Sequence, residues 1–189
     1  MKLPLTKGTS ESDGHHHTAM TKPCDSEMSV FENCLKELVR QKSDARILIL
    51  GCSPELRELA ARMNIRATVI ANDLEVIERT SKLMKKKNKA EEWLEGDIIR
   101  LPLKKASFDM IFSDHILSNV APFNTEKFYE RMKEILRDDG SVVMRSLVFS
   151  KTAKLFESRL TKYFNIVEKK FAKTGVFADY FPIYSMKPK

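Results

Sequence analysis

The chain is poor in the residues and runs that mark several classes of protein. Its 189 residues include six glycines and three cysteines, and no apolar run approaches the eighteen residues of a membrane-spanning helix. Cys24, Cys34 and Cys52 are odd in number and lack C-x-x-C spacing, so they favour neither a disulfide framework nor a zinc site. With no signal peptide at its start, the chain is expected to be cytoplasmic and free of membrane segments.

Charge, by contrast, is plentiful and unbalanced. There are 33 Lys and Arg against 26 Asp and Glu, a formal net charge of +7. Much of the excess lies in the run KLMKKKNK, residues 82–89. Lysines at the end of a helix complement its dipole, so we interpret this run first as a solvated helix end and second as an RNA-binding surface.

The first residues differ in composition from the rest. Residues 1–25 have no apolar period and predict a flexible arm, whereas 26–189 predict a single domain. Three adjacent histidines, residues 15–17, lack a partner at ligand spacing, which favours a solvated or artificially added stretch over a metal site. From Ser29, a predicted N-cap, apolar residues recur at helical spacing and predict a helix that packs on the domain.

Seven short apolar stretches alternate with amphipathic helical patterns through the rest of the chain. Strands flanked by helices imply parallel pairing, so we expect an α/β fold with a doubly wound, mostly parallel seven-stranded sheet. The last two stretches have no room for a helix between them and should form an antiparallel hairpin at one edge. The stretches are RILIL (46–50), ATVIA (67–71), EEWLEGD (91–97), FDMIFSD (108–114), GSVVMRSLVF (140–149), NIVEKKF (165–171) and DYFPIYSM (179–186).

A sharp turn, GCSPE, joins the first strand to a helix. Gly51 supplies the positive φ that such a turn needs, Ser53 can cap the helix and Pro54 suits its first position. A dinucleotide pyrophosphate over this turn would face the carboxylate of Glu55. At about 4 to 6 Å and an effective dielectric near 20 the two repel by roughly 3 to 4 kcal/mol, which disfavours a dinucleotide dehydrogenase and tolerates a cationic nucleoside.

The other strands also end in polar residues, at the edge where open parallel sheets bind ligands. Asp73 follows the second strand at a spacing that suits the two hydroxyls of a ribose, although it could only cap the next helix. Asp97 and Ile98 follow the third strand and could meet an adenine amino group and ring. Ser113, Asp114 and His115 end the fourth.

These residues resemble the class I S-adenosylmethionine-dependent methyltransferases over about residues 44–149. The resemblance lies in ILILGCSPE, VIANDLEVIE, EGDIIRLPLKKASFDMIFSDHIL and FYERMKEILRDDGSVVMRS. It implies S-adenosylmethionine as the cofactor and a Rossmann-like methyltransferase fold. It also implies binding roles for Gly51, Cys52 and Ser53 at the methionine end, Asp73 at the ribose, and Asp97 and Ile98 at the adenine. Further cofactor contacts are expected from Leu74, Ser113 and Asp114.

The loop departs from the pattern of many relatives. Ile49 stands where they carry an acid, and Ser53 and Glu55 stand where they carry glycine. Loss of that acid weakens the hold on the ammonium group of the cofactor unless Glu55 or Asp114 replaces it. A catalytically degenerate domain that binds partners is the alternative that these departures favour.

The acceptor is defined mainly by exclusions. No N-P-P-Y or D-P-P-Y follows the fourth strand, and VMRSLVF lacks the Asp and Asn of a magnesium-dependent site, so we expect no metal. His115 is the candidate catalytic base for an oxygen or nitrogen nucleophile, or else a residue that lines the cleft. A small molecule is the expected acceptor, with RNA as the alternative.

Overall fold

The structure is a computed structural model that describes residues 22–114, 124–146, 150–171 and 182–189. The described residues form five helices and seven strands. The helices are α1 (Asp25–Gln41), α2 (Pro54–Arg62), α3 (Leu74–Ser81), α4 (Thr125–Ile135) and α5 (Ser150–Leu160). The strands are β1 (Arg46–Leu50), β2 (Arg66–Ala71), β3 (Glu91–Glu95), β4 (Phe108–Asp114), β5 (Leu136–Arg145), β6 (Phe164–Lys170) and β7 (Ile183–Pro188).

The strands form one seven-stranded sheet in the order β3-β2-β1-β4-β5-β7-β6. The first five strands pair in parallel, and β7 runs antiparallel to both β5 and β6. The strand order reverses between β1 and β4, which is where open sheets of this kind bind ligands. The predicted fold class, including the antiparallel C-terminal pair, is confirmed.

Each face of the sheet is covered by its own apolar layer. One cluster joins α1, α2 and α3 to the sheet through Phe31, Leu56 and Ile77, and the ring of Phe31 meets Phe112 edge-on at 5.2 Å. The other cluster joins α4 and α5 to the opposite face through Phe128 and Leu160. Alternate residues of the central strands β1, β2, β4 and β5 enter the two clusters, because successive side chains point to opposite faces.

The first helix begins earlier than the sequence suggested. The predicted N-cap at Ser29 is wrong, since α1 begins at Asp25 with Cys24 as its N-cap. The side chain of Glu27 accepts the backbone N–H of Cys24 at 2.8 Å, which satisfies a donor that the helix end leaves open. Cys24 is an uncommon cap, so the pattern gave no start signal there. Residues 1–21 lie outside the described part, and the arm and domain boundaries stay predictions.

Several strand boundaries also differ from the expected ones, most of all those of β5 and β7. Strand β5 begins at Leu136 rather than at Gly140, with a register shift against β4 between Phe108 and Met110. Strand β7 begins at Ile183, and residues 172–181 before it lie outside the described part. A register shift such as that between β4 and β5 produces no alternation of apolar and polar residues, so the sequence pattern could not predict where β5 begins.

The amino ends of the central strands are held by a charged cluster around Asp109. Its carboxylate accepts hydrogen bonds from Lys42 Nζ at 2.7 Å, Arg137 at 2.8 Å and the backbone N–H of Arg46 at 2.9 Å. Lys42 also pairs with Asp139, whose side chain is 66% exposed. Burial raises the pKa of Asp109, but these hydrogen bonds outweigh it and hold the pKa below its usual value. The cluster ties α1, β1, β4 and β5 together.

A second buried ion pair fixes α2 against α3 and the edge strand. The guanidinium of Arg57 pairs with Glu91 at 2.7 Å and donates to the carbonyl of Ile77 at 3.0 Å and the hydroxyl of Ser81 at 2.6 Å. These contacts hold the helix that follows the first turn in a fixed position. None of the helices in the described segments combines the length and apolar character that membrane crossing requires.

Candidate functional site

A cleft of about 1290 Å³ opens at the carboxyl ends of the parallel strands. Its walls come from the loop after β1, the loops after β2 and β3, the end of β4 and the first turns of α1 and α4. The residues of the sequence prediction that line it are Gly51, Cys52, Ser53, Asp73, Asp97, Ile98 and Asp114. Residues up to 63 positions apart in the chain, from Gly51 to Asp114, therefore meet at one edge of the sheet.

The loop after β1 has the predicted backbone shape. Gly51 has φ of 85° and its N–H donates to the carbonyl of Ile70 at 2.8 Å, which ties the turn to β2. Ser53 occupies the N-cap of α2 and Pro54 its first position. The Ser53 hydroxyl does not cap the helix backbone and donates instead to Glu55 at 3.2 Å. The serine thus orients the carboxylate that faces the cleft.

Asp73 caps a helix and also lines the cleft. Its Oδ1 accepts the backbone N–H of Glu75 at 2.7 Å and caps α3. Within the described residues no hydrogen bond engages its Oδ2, and Asp73 lines the cleft. A carboxylate has acceptor sites to spare after one cap bond, so capping does not exclude ribose binding.

The loop after β3 combines a polar and an apolar wall. Asp97 Oδ1 accepts the backbone N–H of Ile99 at 3.0 Å, which fixes the turn, and the side chain of Ile98 is buried. Gly96 takes φ of 139°, a conformation that other residues rarely adopt. The turn brings Asp97 and Ile98 to the cleft together, as an adenine ring with its amino group would require.

The end of β4 is part of a buried charged cluster that we name the Asp114 triad: Asp114, Arg145 and Glu27. Arg145 donates to Asp114 Oδ1 at 2.6 Å and to Glu27 Oε2 at 3.0 Å. The exposed fractions of the three side chains are 9%, 2% and 5%. Burial raises the pKa of Asp114 to about 6 against the lowering effect of Arg145, and the charges of Glu27 and Glu55 add to the rise.

Glu55 is the second carboxylate at this end of the cleft. It is partly buried and pairs with Lys22 at 3.5 Å. Lys22, Glu55 and Asp114 all line the cleft. The cleft thus carries an acidic end next to the first turn, and a cation such as an ammonium group is the ligand that this end suits.

Three predicted residues are placed elsewhere or lie beyond what the structure describes. Ser113 is fully buried, and its hydroxyl has no hydrogen-bond partner among the described residues. Leu74 is exposed and, like Ser113, is not among the described residues that line the cleft. His115 lies outside the described residues, so its role stays a prediction. Ile49, where many relatives carry an acid, is fully buried in the apolar cluster under α1.

Sequence reasoning missed Glu27, Arg145 and Lys22. Glu27 and Arg145 are 118 residues apart, so no local pattern joins them. One signal was present: a charged residue ends the otherwise apolar run VVMR, and a buried arginine needs an acidic partner. The pattern around Glu27, three residues after a cysteine, is a capping box with an unusual first member.

The comparisons with known proteins agree with this geometry. A family model described as methyltransferase domain matches residues 48–144, more than half of the chain. The chain belongs to this methyltransferase family. No curated protein matches the chain.

Solved structures of methyltransferases share the fold of the chain. The N-methyltransferase NodS from Bradyrhizobium japonicum WM9 with S-adenosyl-l-homocysteine has a TM-score of 0.67 at 16% identity, covering 92% of this chain and 97% of that one. A TehB-like SAM-dependent methyltransferase from Corynebacterium glutamicum ATCC 13032 has a TM-score of 0.65 at 15% identity, with coverages of 93% and 95%. The 1,6-didemethyltoxoflavin-N1-methyltransferase of Burkholderia thailandensis has a TM-score of 0.66 at 11% identity, covering 93% of this chain and 83% of that one.

The family and the fold confirm the sequence prediction of an S-adenosylmethionine-dependent methyltransferase. The residues present also fit S-adenosylmethionine on their own geometry. Asp73, in the loop after β2, has a carboxylate oxygen free of the helix cap. In the loop after β3, the apolar side chain of Ile98 lies beside the carboxylate of Asp97. Glu55 and Asp114 make the end of the cleft next to the first turn acidic. The family match does not name the acceptor.

Proposed function

We propose that this methyltransferase transfers the methyl group of S-adenosylmethionine to a small-molecule acceptor. The observation that carries the proposal is the acidic end of the cleft, where Asp114 and Glu55 face the space above the first turn. The structure of the Burkholderia relative holds the small molecule 1,6-didemethyltoxoflavin, which supports an acceptor of that class here.

In this proposal, each part of the cofactor contacts a residue of suitable chemistry in the cleft. Asp73 accepts from the ribose hydroxyls through the oxygen that the helix cap leaves open. Ile98 packs against the adenine ring while Asp97 accepts from its amino group, and Asp114 and Glu55 attract the ammonium group. Gly51, Cys52 and Ser53 pass beneath the methionine part.

The cofactor supplies an activated methyl group, and the chain supplies alignment. Because the leaving thioether is neutral, holding acceptor and donor in line contributes more of the rate than a dedicated acid would. His115 follows Asp114 directly in sequence and is proposed as the base for an acceptor that must lose a proton. His115→Gln should lower kcat by about 100-fold or more while leaving S-adenosylhomocysteine affinity within about twofold. An unchanged kcat would remove His115 from catalysis.

Calorimetry with S-adenosylmethionine tests the cofactor part of the proposal, with a nicotinamide dinucleotide as the negative comparison. Asp73→Ser removes the carboxylate but keeps a side chain that can cap α3, whereas Asp73→Ala removes both. If Asp73 binds ribose, both variants lose about 1 to 3 kcal/mol of binding free energy, since charged hydrogen bonds have this value. If Asp73 only caps the helix, the serine variant keeps the wild-type affinity, and this assignment is wrong.

RNA is the second candidate acceptor, favoured by the exposed lysines of residues 82–89. Lys82, Lys85, Lys86, Lys87 and Lys89 are all exposed, and none forms an ion pair with a described residue. Lys85 also lines the cleft. An RNA acceptor requires affinity for single-stranded RNA to fall steeply as salt rises, because bound cations are released from the phosphates. A flat salt response would leave the small molecule as the sole candidate.

A further inference from the structure

The Asp114 triad contains two carboxylates and one cation. Arg145 contacts both Asp114 and Glu27, and it is the cation that the described residues bring to this pair. With both carboxylates ionised, the triad carries one excess negative charge. All three side chains are at least nine-tenths buried, so water screens that charge poorly.

The position of the excess charge is defined by the fold. Asp114 ends β4 and lines the cleft, Arg145 lies opposite it in register on β5, and Glu27 reaches Arg145 from the first turn of α1. Glu27 is itself fixed by the backbone N–H of Cys24. The member of the triad that lines the cleft is therefore held by a chain of contacts that ends in the N-terminal helix.

We propose that Glu27 is a positioning residue of the cofactor site: by sharing Arg145, it leaves Asp114 with the negative charge that the cofactor's ammonium group neutralises. This inference rests on the proposed function. Without Glu27, Arg145 and Asp114 form a neutral pair, and the attraction to the ammonium group falls. Helix α1 then belongs to the cofactor site.

Several charged groups face Asp114, and they define how its charge depends on pH. Arg145 of β5 lowers the pKa of Asp114, whereas Glu27 of α1 and Glu55 of α2 raise it. Lys22 lies beyond Glu55 and pairs with it. Removing the charge of Glu27 should therefore lower the pKa of Asp114 and move any binding transition that depends on it to lower pH.

The test compares two adenosine ligands in calorimetry. S-adenosylhomocysteine carries the ammonium group, whereas 5′-methylthioadenosine keeps the adenosine and thioether and lacks the amino acid. Glu27→Gln should weaken S-adenosylhomocysteine about tenfold and leave 5′-methylthioadenosine within about twofold. The midpoint of the pH dependence of S-adenosylhomocysteine affinity should also move to lower pH, a shift that a purely structural role would not produce.

Two further variants separate charge from folding. Glu37→Gln changes the same residue type on the exposed face of α1, away from the cleft, and should bind both ligands like the wild type. Glu27→Asp keeps the charge with a shorter reach and should keep the wild-type pH midpoint with a loss of roughly two- to threefold. If the glutamine variant does not fold, the aspartate variant is compared with the wild type using the same two ligands. A loss of affinity for S-adenosylhomocysteine alone supports the role of Glu27, and equal changes for both ligands contradict it.

The outcomes distinguish the inference from the proposed function. If the wild type binds neither ligand, the proposed function itself fails. If the wild type binds both ligands and Glu27→Gln changes their affinities equally or not at all, the function stands and the role of Glu27 is wrong. Selective loss of S-adenosylhomocysteine with a shifted pH midpoint supports the role.

Discussion

The two ends of strand β4 each carry a buried aspartate, and the two carboxylates have opposite surroundings. At the amino end, Asp109 and Asp139 share two cations, Lys42 and Arg137, so the charges balance. At the carboxyl end, Asp114 and Glu27 share one, Arg145, among the described residues. The pKa of Asp109 is accordingly lowered, whereas burial raises that of Asp114 to about 6.

The difference separates a structural carboxylate from one available to a ligand. Asp109 has its hydrogen bonds supplied by the fold, and it is not among the described residues that line the cleft. Asp114 lines the cleft, and the described residues bring one cation, Arg145, to Asp114 and Glu27 together. Perturbed carboxylates of the second kind are common at functional sites because a ligand completes their interactions.

The largest expected effect is on stability. Asp109→Asn should lower the free energy of unfolding by about 3 to 5 kcal/mol, because Lys42 and Arg137 lose their shared buried partner. The affinity of the remaining folded protein for S-adenosylhomocysteine should stay within about twofold, since the cluster lies at the far end of the strands. Urea unfolding and calorimetry measure the two quantities. A stable variant would show that the cluster is not needed.

Asp114→Asn should produce the reverse pattern. Its binding free energy for S-adenosylhomocysteine should fall by about 1.5 to 3 kcal/mol, the range for hydrogen bonds to charged groups. Its free energy of unfolding should change by at most about 1 kcal/mol, because the raised pKa means that the fold favours the neutral form that asparagine imitates. Calorimetry beside urea unfolding checks this. Loss of stability without loss of affinity would contradict the comparison.

In the wild-type protein, lowering the pH should reduce ligand affinity through Asp114 before it reduces stability through Asp109. The pKa of Asp114 is near 6 in the fold, so lowering the pH from 7.5 to 5 adds a proton and should weaken S-adenosylhomocysteine about tenfold. Asp109 has a lowered pKa, so its stabilising contribution persists above the unfolded value and is lost only as the pH falls through the folded one. Asp114→Asn should bind independently of pH in this range; a wild-type affinity constant down to pH 5 would exclude the Asp114 assignment.

The smallest expected effect concerns the exposed member of the amino-end cluster. Asp139→Ala should lower the free energy of unfolding by less than about 1 kcal/mol, because the Asp139 side chain is largely exposed and water screens its pair with Lys42. The matched comparison is Asp109→Ala, which removes the buried member. If the two substitutions have equal cost, burial does not decide the strength of this cluster.

Much of the fold could be predicted because its signals are local. Apolar stretches such as RILIL and FDMIFSD, separated by helical periods, defined the strands and the parallel pairing, and the short interval before residue 183 defined the antiparallel pair. The positions that failed were Ser29 as a helix start and Gly140 as a strand start. There, a cap made by Glu27 and a bulged register decide the boundary, and neither has a periodic signature.

The candidate site likewise contains residues that local sequence signals predicted and residues that they did not. The prediction found the residues that immediately follow strands, including Gly51, Asp73, Asp97 and Asp114, because in a parallel sheet those positions must share one edge. It did not find Glu27 or Arg145, which act on Asp114 through contacts between distant parts of the chain. Residues 115–123, with His115, lie outside the described part and leave the base a prediction.

The sequence by itself determined the order of strands and helices along the chain, the family and the edge of the sheet at which the cleft opens. Hydrophobic period and strand-to-helix turns carry that information within about twenty residues, the range over which a pattern can act. Only the tertiary structure decided which of two aspartates on one strand has fewer cations than carboxylates around it among the described residues. That depends on how many cations the folded chain brings within hydrogen-bonding distance of each carboxylate and on how far water is excluded there, and both are properties of packing.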